Sequence, residues 1–212
     1  MCMLYNLIKN GGVVMIRSNL SILLAEQNLK ITKVANDTGI SRTTLTSLYY
    51  NNGQGIQFET MNKLCLYLNI DPNQLISFIP LDIKIEAVNV LGGNPAETEI
   101  FIQIIENGKK YNCQMSANVS IHLGQYNKVY SIDVDLILYL PDYDDEANKR
   151  IIEENQIILN SFSQLTRPFL NDLEVQLIDG IERELVIEHK YSILEDCNYN
   201  ITWPKEILKL IK

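Results

Sequence analysis

Apolar positions along the chain follow two different periods, and the switch between them falls at Leu81. Before it they recur every three or four residues, as on helices with one buried face. Leu20, Leu23 and Leu24 mark a first helix expected over residues 16–27, with Leu29 closing its end. Residues 31–50 read as two short helices around a tight turn. Ala35 is small enough to let two crossing helix backbones approach, and Gly39 supplies the positive φ that ends the first helix without a steric cost. Ile40 plugs the turn, Ser41 can cap the second helix, and Leu45 and Leu48 face inward at i and i+3. A fourth helix over 58–68 presents Met61, Leu64, Cys65 and Leu68. Asp71-Pro72 gives a cap and a first-turn proline for a fifth helix, 73–78, whose apolar side is Leu75, Ile76 and Ile79 and whose limit is Pro80.

From Leu81 onward apolar and polar residues alternate, the period of half-buried strands. Ile83, Ile85 and Ala87 begin the series, Gly92-Gly93-Asn94-Pro95 is a turn, and Ile100, Ile102 and Ile104 form a second strand. Asn107-Gly108 is a strong hairpin signal, after which Tyr111, Cys113 and Met115 return. The clearest strand spans 129–140: Ile132, Val134, Leu136, Leu138 and Leu140 share one face, and Asp133 and Asp135 show that the other meets water. An acidic turn over 141–146 leads into a long helix, 146–165, with Ile151, Ile152, Ile158, Leu159, Phe162 and Leu165 inward and Pro168 as its limit. Leu173, Val175 and Leu177 alternate again, Asp179-Gly180 reads as a turn and 185–187 as a returning strand. Trp203-Pro204 opens a short terminal helix carrying Ile207, Leu208 and Ile211. The expected architecture is an all-α five-helix domain over 15–80, then an α+β domain over 81–212 in which one long helix covers an antiparallel sheet.

Residues 1–14 stand apart as a non-native or flexible extension. Gly11-Gly12 just ahead of Met15 is what a ribosome-binding sequence would encode, so Met15 is the expected start, with a genuine N-terminal arm as the alternative.

Composition narrows the class. A length of 212 residues suggests two domains, and 21% charged residues suit a soluble globular protein. No apolar run approaches a membrane span, and a secretory signal is not expected because Lys9, the first basic residue, follows the mildly apolar start. Cys2, Cys65, Cys113 and Cys197 are scattered without a C-x-x-C pair, as in a reducing cytoplasm. The net charge of −8 argues against a nucleic-acid partner until it is divided: residues 15–80 carry +1 and residues 81–212 carry −10. Contact with phosphate is therefore confined to the first domain, and at +1 it needs a dimer to be tight.

The pattern Ala35, Gly39, Ile40, Ser41, Leu45 and Leu48, with Leu29-Lys30 before it and 58–78 after it, resembles the helix-turn-helix of the lambda repressor and Cro class, the xenobiotic-response-element family. The resemblance covers about a third of the chain and implies that the second helix of the motif enters the major groove of double-stranded DNA. Carried over by position, it makes Arg42, Thr43, Thr46 and Ser47 base-contacting residues and Thr32, Lys33, Ser41 and Gln54 phosphate-contacting ones. Arg42 suits a bidentate contact to guanine, and Thr43 and Thr46 suit a thymine methyl. The family often has glutamine where this chain has Ile31 and Arg42, so its base contacts do not transfer directly.

The C-terminal half offers little chemistry. His122 and His189 lie in strand-like surroundings and read as structural residues. Asp142, Asp144, Asp145 and Glu146 could in principle hold calcium, but they read better as a solvated turn that starts a helix with negative charge. No metal, cofactor or enzymatic activity is expected. Neither Ala-Gly nor Cys-Gly occurs, which argues against the self-cleavage used by some related repressors. The expectation is a cytoplasmic, dimeric, sequence-specific repressor of phage or mobile-element type on an inverted-repeat operator, its C-terminal domain pairing the protomers and receiving a protein or small-molecule effector. The alternative is an antitoxin-like or phage-switch module whose C-terminal domain binds a partner protein.

Overall fold

The computed structural model describes residues 16–53, 55–138 and 146–211. The chain divides into two compact units whose boundary falls between Ile79 and Pro80. The expectations about residues 1–14, Met15 as the start, Gln54, Leu140 and the acidic turn with Asp142, Asp144 and Asp145 lie outside the described residues.

The first unit contains five helices: α1 (Leu20–Glu26), α2 (Ile31–Thr38), α3 (Arg42–Tyr49), α4 (Phe58–Leu68) and α5 (Pro72–Leu75). Leu20, Leu24, Val34, Leu45, Leu64 and Leu75 are fully buried in one cluster, so every helix contributes to a single core. The unit is not all-α. Ile16–Ser18 and Ile76–Phe78 form strands β1 and β2, paired antiparallel with Ile16 opposite Phe78 and Ser18 opposite Ile76. These are the outer residues of the expected first and fifth helices. Their backbone bonds go to each other instead, and Asn19 extends the pairing by donating its N–H to the Leu75 carbonyl at 2.8 Å. A three-residue strand whose partner lies some sixty residues away leaves no periodic trace in sequence, which is why both were read as helix.

The second unit is built on a five-stranded sheet in the order of the chain: β3 (Leu81–Gly93), β4 (Ala96–Glu106), β5 (Lys109–Leu123), β6 (Lys128–Ile137) and β7 (Ser192–Thr202). The first four strands run antiparallel as a meander. At the β4–β5 corner Asn107 and Gly108 both have positive φ, 51° and 77°, the conformation that makes Asn-Gly the favoured two-residue hairpin. The sheet is mixed rather than purely antiparallel, because β7 joins β6 in parallel. Parallel pairing requires a crossover, and helices α6 (Glu146–Phe162) and α7 (Arg167–Ile187) supply it.

The one long helix of the sequence reading is thus two. Residues 167–187, read as strand, turn and strand, form the longest helix of the described chain. Its buried residues, Phe169, Leu170, Leu173, Leu177, Ile181 and Leu185, recur at helical spacing, whereas Val175, which completed the apparent alternation, is 38% exposed. Pro168 does not terminate α6. It sits in the first turn of α7, where its missing N–H has no helical partner to lose. On α6 the buried positions are Asn155, Ile158, Ser161 and Phe162, while Ile151 and Ile152 stay more exposed than expected. One sheet face is apolar and buried, through Ile83, Ile100, Ile104, Val119, Ile132 and Val134. The two helices also satisfy edge donors: the Ile85 N–H bonds Gln176 Oε1 and the Gln114 N–H bonds Glu154 Oε2, each at 3.1 Å. Trp203 packs 5.6 Å from Phe162 and donates to Glu174, and the short α8 (Lys205–Leu208) buries Ile207.

Candidate nucleic-acid interface

Helices α2 and α3 are set by the turn between them. Gly39 closes α2 in the left-handed region (φ 71°) and donates its N–H to the Ala35 carbonyl. Thr38 braces the same corner, its hydroxyl donating to the Val34 carbonyl at 2.7 Å and accepting from the Ile40 N–H at 3.2 Å. Ile40 is buried beneath the turn. Ser41 caps α3: its Oγ accepts from the Thr44 N–H at 3.1 Å and lies 2.8 Å from the Thr44 hydroxyl. Leu45 and Leu48 hold α3 against the core, leaving the opposite side uncovered within this unit.

That side carries the residues expected to read bases. Arg42 and Thr43 are exposed on the first turn, and among the described residues Arg42 pairs with no carboxylate. Thr46 and Ser47 are half-buried one turn further on. Ser47 is drawn toward the following loop, since a β-carbon at Gly53 would stand only 2.9 Å from its Oγ. Thr32 and Lys33 are exposed on the first turn of α2, and Ser41 is exposed while capping α3.

Two features were not seen in the sequence. The first is the clamp at the end of α3. Asn51 adopts the left-handed conformation (φ 54°), its side chain accepts from the Ser18 N–H at 2.6 Å, and it donates to the Ser18 carbonyl at 3.0 Å. It bonds β1 as a neighbouring strand would, and so fixes where α3 ends. An asparagine directly after a helix was the available signal, because it tolerates positive φ. The second is a polar group beside Lys33. The Lys33 ammonium lies 2.9 Å from Asp37, which also accepts from the Tyr67 hydroxyl at 2.6 Å. Asp37 is held below the usual carboxylate range, first by Tyr67 and then by Lys33, and the bond to Asp37 raises the Lys33 ammonium in turn. The i, i+4 spacing of Lys33 and Asp37 was legible, whereas the tyrosine on another helix was not.

In the second unit His122 bonds Asp133 at 2.7 Å, with Asn200 on the other carboxylate oxygen, and His189 bonds the Val90 carbonyl. Among the described residues no group of three or more His, Cys, Asp or Glu could hold a metal ion, and no helix is long and apolar enough to cross a membrane.

Two helices locked by a glycine turn, the second capped by serine and exposed along its outer side, constitute a helix-turn-helix DNA-binding unit. Its type is given by comparison: the family model of the Cro/C1-type HTH DNA-binding domain matches residues 19–80. Among solved structures, a candidate DNA-binding protein from Bacteroides fragilis is 28% identical, covers 30% of this chain and 100% of its own, and superposes with a TM-score of 0.28. No curated protein matches the chain.

Proposed function

We propose that the protein is a cytoplasmic, sequence-specific transcriptional repressor that acts as a dimer and by binding rather than catalysis. The observation that carries this reading is the outer side of α3, where Arg42 and Thr43 project from a capped first turn without an internal partner. An arginine so placed can bond guanine O6 and N7 together, and each good pair of this kind contributes roughly 1–3 kcal/mol of discrimination. Thr32, Lys33 and Ser41 surround that turn and suit phosphate, which fixes the docking without reading sequence. A unit with a net charge of +1 gains little from counterion release, so two copies on an inverted repeat, about one helical turn apart, supply the affinity. The second unit, at −10, is repelled by phosphate and suits joining protomers or receiving a protein or small-molecule signal.

Selection of bound DNA from a random pool at stated salt tests the reading. One enriched inverted repeat is expected, and Arg42→Ala should bind without preference at the position Arg42 contacts. No enrichment, or full preference in the Arg42→Ala protein, would overturn it.

A further inference from the structure

We infer that Tyr50 is a further DNA-contacting residue, its phenol hydroxyl donating to a phosphate oxygen at the groove rim where α3 leaves the major groove. The inference rests on the docking of α3 proposed above and extends it to the other end of the helix. Tyr50 is the C-terminal cap of α3 (φ −96°, ψ 3°), and its N–H still bonds the Thr46 carbonyl at 3.1 Å, so its backbone stays on the path of the helix. Seven residues on from Thr43 it returns to within about 20° of that residue around the axis, on the side away from Leu45 and Leu48. It is 48% exposed, and its hydroxyl has no hydrogen-bond partner among the described residues.

Its neighbour shows the contrast. Tyr49 is packed against the core, and the Tyr50 ring stands edge-on to it, centroids 4.9 Å apart at 75°. That contact orients the Tyr50 ring and leaves its hydroxyl free. The Asn51 clamp on Ser18 prevents the last turn from fraying, so the phenol is held in place before binding. Seven residues of helix advance about 10 Å, and the major groove is about 12 Å wide. With Thr43 at the base edges, Tyr50 therefore arrives at the phosphates, and tyrosine is among the residues that donate to them.

The test compares the full-length wild-type, Tyr50→Phe and Arg42→Ala proteins on operator and unrelated DNA over a range of salt. Tyr50→Phe is expected to bind every sequence about tenfold more weakly, the loss typical of a hydrogen bond to a charged group. Its operator preference and salt slope should stay as in wild type, because a neutral hydroxyl releases no counterion. Its thermal unfolding should also be unchanged, since the hydroxyl has no internal partner. Wild-type affinity in Tyr50→Phe, or a loss confined to particular base pairs, overturns the inference. If wild type shows no operator preference at all, or Arg42→Ala keeps it, the failure lies in the docking of α3 and the inference falls with it.

Discussion

Gly180 of α7 lies against Val88 of β3 so closely that a β-carbon there would stand 2.6 Å from Val88 Cγ2 and 3.3 Å from its Cβ. Glycine inside a helix costs about 1 kcal/mol relative to alanine, so a glycine in mid-helix calls for a reason. Here the reason is contact: with hydrogen in place of a side chain, α7 settles onto the sheet and Val88 is 4% exposed.

Gly180→Ala should therefore destabilise the second unit by about 1–3 kcal/mol despite its better helix propensity, because a filled core resists an added methyl. Val88→Ala in the same chain should recover part of that loss. Trp203 is the sole tryptophan and is 5% exposed in this unit, so its fluorescence during urea unfolding reads the change. Equal stability of Gly180→Ala and wild type would show that α7 can shift away at no cost.

The same glycine shows where sequence reading failed. Next to Asp179 it looked like a turn, and Leu173, Val175 and Leu177 before it looked like a strand, because a two-residue alternation and a four-residue helical step share the same leucines. What separates them is the set Leu170, Leu173, Leu177, Ile181 and Leu185, buried together along one helix. β7 escaped notice although Cys197, Tyr199 and Ile201 alternate with Asn198, Asn200 and Thr202, because it is an edge strand whose residues are at most half-buried and whose first half, through Glu195 and Asp196, breaks the alternation. β1 and β2 depend on each other across the whole unit. The helix-turn-helix was legible because each of its residues acts locally: Gly39 turns the chain at its own position, and Ser41 caps a donor three residues away. The remaining parts of the candidate interface, Asn51 on β1 and Tyr67 beside Lys33, act across the fold and could not be read from spacing.

Asn51 should be sensitive in a way that separates its two roles. Asn51→Gly keeps the left-handed backbone at no steric cost but removes both bonds to Ser18, a buried strand residue. A loss of about 1–2 kcal/mol is expected from the bonds alone. Asn51→Ala should lose more, because it adds the strain of positive φ. Thermal unfolding of the isolated variants measures both, and a Gly variant as stable as wild type would show that water replaces the clamp.

The Asp37 carboxyl should titrate below an ordinary aspartate, with Tyr67 the larger cause and Lys33 the second. Its folded pKa is depressed, so the stabilisation it provides is present above the unfolded value, about 4, and is lost as pH falls through the folded value. Carboxyl carbon NMR of Tyr67→Phe and of Lys33→Met should each show the Asp37 midpoint moving upward. An unmoved midpoint in either variant would mean that the side chain removed does not hold the charge.

Cys113 is buried in β5, and burial pushes its thiol up to about 11. At pH 8 it is therefore protonated as well as shielded, and thiolate is the reactive form. A disulfide reagent should leave Cys113 unmodified in the folded protein and label it once urea unfolds the second unit, as peptide mass spectrometry would show. Labelling of Cys113 at a rate near that of a free thiol would mean that the sheet opens at that strand.

Of the α2 residues proposed to contact phosphate, Lys33 already has an anionic partner. Its ammonium lies 2.9 Å from Asp37, 61% exposed, on the turn that would face the DNA backbone. The carboxylate occupies the position a phosphate oxygen would take, so binding exchanges one anion for another and the gain is smaller than for a free lysine. Asp37→Asn should raise DNA affinity about two- to threefold, in keeping with the modest strength of exposed pairs. Lys33→Ala should weaken binding uniformly across sequences and lower the salt slope by about 1. The decisive measurement is the double variant: if competition for Lys33 is the mechanism, Asp37→Asn gains nothing once Lys33 is gone. A gain that persists in the Lys33→Ala background would instead mean that Asp37 acts by repelling DNA directly.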